Sequence, residues 1–254
     1  MVVLYVIGRR DAIFREIDDA ERRGQSVAIV QCCLRSTLRP STADWVDGWK
    51  RATVVWSYLD LRWACADDGV RDDFAFYHAP LGSDATVFKP GGRKRHGMTF
   101  AVATSGQSWL TESVKECALA AQAHGRQTFH LGPDLHRDAE GVTCVSGIDD
   151  AVLASWYRLC DYVSGLRRIE GFELPALEGL LCGARPVLFN REHYRRWYGD
   201  HAIYIDERDR GSVTSDLVRI FADRPARVTA DERQHVAETF AWAPIATGFW
   251  ERAL

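Results

Sequence analysis

Two acids in one stretch raise the question of chemistry. In Asp161 to Asn190, DYVSGLRRIEGFELPALEGLLCGARPVLFN, Glu170 and Glu178 sit in a run that reads as strand, loop, short helix, strand. Asp161 to Val163 is a brief β-rich run, Ser164 to Glu173 is polar and punctuated by glycine, and Pro175 falls where a first helical turn tolerates a missing N–H. Gly183 can take the left-handed conformation that ends a helix, and Pro186 to Phe189 follows as a second buried strand. One acid therefore lies in the loop and the other a turn into the helix, so their roles differ. A loop entering a helix amino terminus offers unpaired N–H groups and the positive end of the helix dipole, a seat for an anion such as a diphosphate. A carboxylate inside that helix takes hydroxyls as partners, and the vicinal diol of a ribose matches the two oxygens of Glu178. Glu170 would then lie nearer a sugar. By spacing alone, both acids also fit as solvated residues of an ordinary βαβ connection.

The elements that must position these acids read as α/β throughout. Val2 to Ile7 is a β-branched run closed by Gly8; Asp11 to Arg23 carries Ile13, Phe14, Ile17 and Ala20 at helical spacing; Ser26 to Cys32 is a second strand. Gly8 and Arg9 at the first turn can meet a phosphate, or simply be solvated. Arg35 to Lys50 is polar, Ala52 to Tyr58 returns to strand character, and Phe74 to Tyr77 is a further strand. Asp60, Arg62 and Trp63 follow a strand's carboxyl end, where open parallel sheets bind ligands, and are candidate acceptor contacts or an ordinary turn. Gly91 to Gly97, basic and flanked by glycine, suits a hinge. Beyond it come a strand at Thr99 to Ala103, a helix from about Ser108 to Ala123, strands at Gln127 to Leu131 and Gly141 to Val145, and a helix at Ala151 to Leu159 capped by aspartates. After the acids, Arg191 to Tyr198 and Ser212 to Phe221 read as helices around a strand at His201 to Ile205.

Composition narrows the class. A chain of 254 residues with 46% hydrophobic content can bury one large core or two small ones. A net charge of −3 gives no overall attraction to nucleic acid or anionic membrane, so such contacts would need a local patch. No segment approaches the roughly 18 uninterrupted apolar residues of a membrane span. MVVLYVIG is short, has no basic flank, and reads as a first strand and not as a signal peptide. Seven cysteines without a C-x-x-C pair fit buried thiols in a reducing compartment, and the scattered histidines point to no structural zinc; the expectation is a cytoplasmic protein.

The run E-G-F-E-L-P-A-L-E-G-L-L-C-G-A-R-P-V, Glu170 to Val187, resembles the E-x7-E segment of retaining GT-B glycosyltransferases, usually E-G-F-G-L-P-x-x-E-A-x-x-C-G-x-P-V-V. Gly82, Asp84, Phe88 and Pro90 match the phrase that leaves the first domain of that family, and Glu238 to Trp250 is similar to its final segment. The resemblance implies two Rossmann-like domains facing a cleft, here 1–90, abridged, on the acceptor side and 91–254 on the nucleotide-sugar side, with the last helix crossing back to the first domain. It implies that Glu170 lies beside the donor sugar, that Gly171 and Phe172 offer backbone amides, and that Glu178 holds the ribose. Glu173 stands where the family has a second glycine, placing a side chain where backbone approaches the donor. The family's arginine and lysine clamp on the diphosphate has no clear counterpart: Ser105 and Gly106 occupy the loop, and Lys115 lies well along the helix. Arg167 and Arg168, just ahead of Glu170, are the better cations.

The expected activity is metal-independent transfer of a hexose, with retention, from a nucleoside diphosphate sugar, UDP-glucose first, to an acceptor hydroxyl. Trp45, Trp49, Trp56, Trp63 and nearby arginines suggest an open surface for a macromolecule, with hydroxymethylated pyrimidine in DNA a leading candidate. A cell-surface polysaccharide or glycolipid acceptor, or a non-catalytic sugar-nucleotide-binding module, are the alternatives. A Rossmann dehydrogenase is disfavoured because no G-x-G-x-x-G follows a strand.

Overall fold

A computed structural model describes residues 1–6, 10–32, 42–91, 101–104, 113–132, 140–168, 172–226 and 228–254. The chain divides into two compact units, the first made of Met1–Gly82, Glu170–Phe172 and Trp242–Leu254, the second of Ser83–Ile169 and Glu173–Ala241.

In the first unit four parallel strands, β1 (Val2–Val6), β2 (Val27–Gln31), β3 (Val54–Ser57) and β4 (Phe76–His78), pair in the order β1-β2-β3-β4. Helix α1 (Arg10–Arg22) lies against β1 and β2 and buries Ile17 and Ala20, as its spacing predicts. Two short helices fill what reads as a polar connection and a turn: α2 (Val46–Arg51) and α3 (Leu61–Asp67). Trp45, Trp49 and Trp56 are buried, Trp49 completely, with its indole N–H donating to Gln31 Oε1 at 3.0 Å. This corrects the expected aromatic surface: three of its four tryptophans are core, and only Trp63 is exposed.

The second unit is a six-stranded parallel sheet in the order β10-β9-β8-β5-β6-β7. Its strands are β5 (Ala101–Thr104), β6 (Gln127–Leu131), β7 (Val142–Val145), β8 (Tyr162–Gly165), β9 (Arg185–Phe189) and β10 (Ile203–Ile205). Between them run α4 (Val114–Gln122), α5 (Asp150–Tyr157), α6 (Leu174–Cys182) and α7 (Glu192–Tyr198). Then come α8 (Arg210–Phe221) and α9 (Ala230–Thr239), and last α10 (Trp242–Ala253), which lies against β3 and β4 in the first unit. Glu238 to Trp250, similar to the family's final segment, spans the end of α9 and most of α10, parted at Phe240 and Ala241. Caps set the boundaries: Asp149 accepts the Val152 N–H at 2.8 Å, Asp209 accepts the Ser212 N–H at 3.0 Å, and Thr229 and Glu232 form a reciprocal capping box. Gly183 ends α6 at φ 99°, as expected for a left-handed C-terminal residue.

Among the described residues no helix is long and apolar enough to cross a membrane. Cys32, Cys65, Cys117, Cys160 and Cys182 are buried free thiols.

Candidate active site

The strand order of the second unit fixes where a ligand can sit. From β5 the chain steps outward through β6 to β7, then returns to the other side of β5 with β8 and steps outward again through β9 to β10. The reversal between β5 and β8 is the topological switch point, and open α/β sheets bind ligands outside the carboxyl ends of the strands there. The loop carrying the first acid leaves the carboxyl end of β8 at this point. The described strands of the first sheet run in one direction with no reversal, so Asp60, Arg62 and Trp63 sit past a strand end but at no such crevice.

A row of polar side chains crosses the second sheet at its last rung. Thr104 is in register with His130 on one side and Ser164 on the other, and all three are buried. Thr104 Oγ1 lies 3.2 Å from His130 Nδ1, and the Cys117 thiol of α4 donates to Ser164 Oγ at 3.3 Å. Buried polar groups require partners, and the pairs Thr104–His130 and Cys117–Ser164 supply them at the floor of the switch point.

At the start of α6 the expected amide seat is narrower than the sequence suggests. Pro175 has no N–H, and Ala176 and Leu177 donate to the Glu173 carbonyl at 2.9 and 3.3 Å, so the amides from Ala176 on are engaged within the helix. No side chain caps this helix. Glu173, at the N-cap position, adopts φ 65°, ψ 64°, the backbone a glycine would take, and its side chain turns inward. The Tyr194 hydroxyl donates to its Oε1 at 3.3 Å, Arg167 Nε lies 3.5 Å from its Oε2, and the Tyr198 hydroxyl donates to its carbonyl at 2.9 Å.

Glu178 stands one turn into α6, half-buried, with Oε2 accepting from the Tyr157 hydroxyl at 3.4 Å. Burial, and then the charge of Asp150, push its carboxyl up from 4.5 to about 7, with the Tyr157 bond opposing. The Tyr198 hydroxyl is pushed well above the usual tyrosine range, first by burial and then by the carboxylates of Glu173 and Glu178. The structure therefore gathers Arg167, Glu173 and Glu178 around tyrosines 157, 194 and 198. Sequence reading missed these tyrosines, since phenols arriving from α5 and α7 carry no local signal.

The other candidates are placed differently. Arg168 is tied to Glu207 Oε1 at 3.5 Å and the Arg208 carbonyl at 3.0 Å, and lies over the Phe189 ring at 5.3 Å. Arg191 joins the same Glu207 and donates to the Arg168 carbonyl at 2.9 Å. Phe172 is buried, its ring 5.7 Å from Tyr58. Lys115, expected well along its helix, is exposed in the first turn because α4 begins at Val114. Asp60 is the N-cap of α3, its Oδ1 accepting the Trp63 N–H at 3.1 Å, with Arg62 and Trp63 exposed beside it. Gly8, Arg9, Ser105, Gly106, Glu170 and Gly171 lie outside the described residues. Among those described, no group of three or more His, Cys, Asp or Glu side chains is placed to hold a metal ion.

Two parallel-sheet Rossmann-like units, of four and six strands, define the GT-B class of fold. The sucrose-phosphate synthase of Thermosynechococcus elongatus superposes on 98% of this chain and 72% of its own, with a TM-score of 0.76 at 16% identity. Anabaena HepE, solved with UDP-glucose, matches 98% of this chain and 77% of its own, with a TM-score of 0.76 at 14% identity. The pneumococcal O-GlcNAc transferase GtfA, solved with UDP and GlcNAc, covers 93% of this chain and 53% of its own, with a TM-score of 0.69 at 12% identity. At these identities the likeness establishes the fold. Neither a protein-family model nor a curated protein matches the sequence.

Proposed function

We propose that the chain is a retaining glycosyltransferase that moves a hexosyl unit from a nucleoside diphosphate sugar to an acceptor hydroxyl. The observation that carries this reading is the position of the E-x7-E stretch: it follows β8 at the switch point of the second sheet, with Glu178 half-buried in the helix that the loop enters. Solved GT-B neighbours hold UDP or UDP-glucose, which makes UDP-glucose the first donor to test.

In this scheme Glu178 accepts the ribose hydroxyls, and the amides ahead of Pro175 meet the diphosphate. Arg167 supplies the cation in place of the missing clamp. Arg168 is set apart from this cluster, its guanidinium on Glu207 and the Arg208 carbonyl. Departure of the diphosphate builds negative charge, and donors already held in place lower the barrier without a covalent nucleophile. Glu170 is assigned to the sugar end on the resemblance alone. No metal enters the scheme, so a chelator should leave turnover unchanged.

The acceptor reading is a macromolecule, with hydroxymethylated pyrimidine in DNA tested first. Its support is the exposed pair Arg62 and Trp63 on α3, since exposed cations and aromatic faces serve backbone and base contacts. The experiment is release of UDP from UDP-glucose, measured with and without hydroxymethylated DNA, polysaccharide and glycolipid. Acceptor-stimulated release with an α-configured product supports the proposal. Tight nucleotide-sugar binding with no release under any acceptor would make the chain a binding module, and no binding of any nucleotide sugar would end the reading.

A further inference from the structure

Glu173 carries two costs at once. Among the described residues it is the one non-glycine with positive φ, a conformation in which a Cβ crowds the backbone. Its carboxylate side chain is also wholly buried, at 0% exposure, where a charge loses its hydration. Glycine would remove the first cost and an apolar side chain the second. Nor does the carboxylate repay them by capping α6, because it points away from the helix amides.

The surroundings are shaped to receive it. Gly165, the last residue of β8, is bare where Leu188 and the stem of Glu173 pass: a methyl there would fall 2.5 Å from Leu188 Cδ2, 3.1 Å from Cγ and 3.2 Å from Cβ of Glu173. Tyr194 holds Oε1 and Tyr198 holds the carbonyl, so both the side chain and the backbone of residue 173 are fixed from α7. Oε2 is turned to Nε of Arg167, whose side chain is 18% exposed. The carboxylate and the guanidinium thus form a buried ion pair. A guanidinium is a planar fork of donors that matches phosphate oxygens.

We propose that Glu173 is a positioning residue for Arg167, its buried carboxylate pairing with the guanidinium and so setting the place of the cation that meets the diphosphate of the nucleotide donor. This rests on the glycosyltransferase reading and adds to it a reason for the acid that stands where the family has glycine. Holding Arg167 in advance spares the rotamer entropy that a free arginine loses on binding, and Tyr194 in turn holds the acid.

The test is calorimetric titration of UDP and of uridine, which lacks the diphosphate, into the wild type, Glu173→Gln, Arg167→Ala and the double variant. Glu173→Gln keeps the size of the side chain and an oxygen for Tyr194 but removes the charge. The expected result is about 10-fold weaker UDP binding for each single variant, with uridine binding unchanged and the double variant no weaker than Arg167→Ala alone. Glu173→Gly, which suits the positive φ, should melt no lower than Glu173→Gln yet show the same selective loss, guarding against a folding defect. Unchanged UDP binding in Glu173→Gln, equal losses for UDP and uridine, or additive losses in the double variant would each overturn the positioning role while leaving the donor reading intact. A folded wild type that binds neither UDP nor other nucleoside diphosphates would overturn both.

Discussion

Among the helices that follow a parallel strand and begin at an acidic residue, α3 and α6 put their acids to opposite uses. Asp60 enters α3 in an extended conformation, φ −75°, ψ 91°, and its carboxylate accepts the Trp63 N–H, the ordinary way to satisfy a helix end. Glu173 enters α6 in the left-handed region, buries its carboxylate towards Arg167 and leaves the helix end without a side-chain cap. The first arrangement is self-sufficient. The second leaves the helix end without a carboxylate on its amides, which suits a helix whose dipole is to receive a ligand's charge. The strand order gives the same contrast, since α6 starts at the reversal of its sheet and α3 does not.

The largest expected effect tests whether α6 is the ligand-binding helix of the pair. If Glu178 accepts two ribose hydroxyls, at about 1.5–3 kcal/mol for each hydrogen bond to a charged group, Glu178→Ala should weaken UDP and uridine binding alike by roughly 100-fold or more. Asp60→Ala should change neither. Titration of both variants with both ligands checks the contrast; equal behaviour of the two variants would remove it.

The next effect is on stability and has a definite sign. Glu178 has its carboxyl raised in the folded chain from 4.5 to about 7, so the fold favours the neutral form. Its contribution to stability is therefore greatest below pH 4.5, declines as pH rises from there to 7, and is lost above. Glu178→Gln, permanently neutral, should be more stable than the wild type at pH 8 by on the order of 2 kcal/mol and equal to it at pH 4. The same ionisation should show in donor binding, with UDP affinity of the wild type falling as pH drops below 7. Denaturant melts and titrations across pH 4 to 8 read both; a wild type more stable at pH 8 than Glu178→Gln would contradict the buried setting.

Much of the contrast between the helices was legible in the sequence, and its sharpest part was not. Runs of β-branched residues at Val2, Val27 and Val54 located strands, and Pro175 with Gly183 bracketed α6 to within a residue, because those residue types act locally. Helices α2 and α3 escaped because each spans fewer than two full turns of pattern, and the tryptophans around α2 look like surface aromatics until β2 and β3 close over them. The switch point rests on Thr104 pairing with Ser164, and the lock on Glu173 on tyrosines of α7 beyond the next strand. Neither pairing follows from spacing. A glutamate in place of a glycine announced that something unusual occupied position 173; that its carboxylate turns inward follows from the bare Gly165 and from Arg167, which only the folded chain brings together.

The smaller effects belong to α3. Removing the cap with Asp60→Ala should cost about 1 kcal/mol, and Asp60→Asn, which can still accept the Trp63 N–H, only a few tenths. Trp63→Ala should stay within about 0.5 kcal/mol of the wild type, because its ring is 59% exposed and little packing is lost. A side chain that does so little for the fold is the one whose removal best isolates a surface role. If α3 faces the acceptor, Trp63→Ala should raise KM for hydroxymethylated DNA several-fold while leaving both stability and UDP affinity where they were. A variant that loses stability instead would show that the ring packs more than its exposure implies. One that alters neither stability nor KM would leave α3 as a plain capped helix and move the acceptor contact elsewhere on the chain.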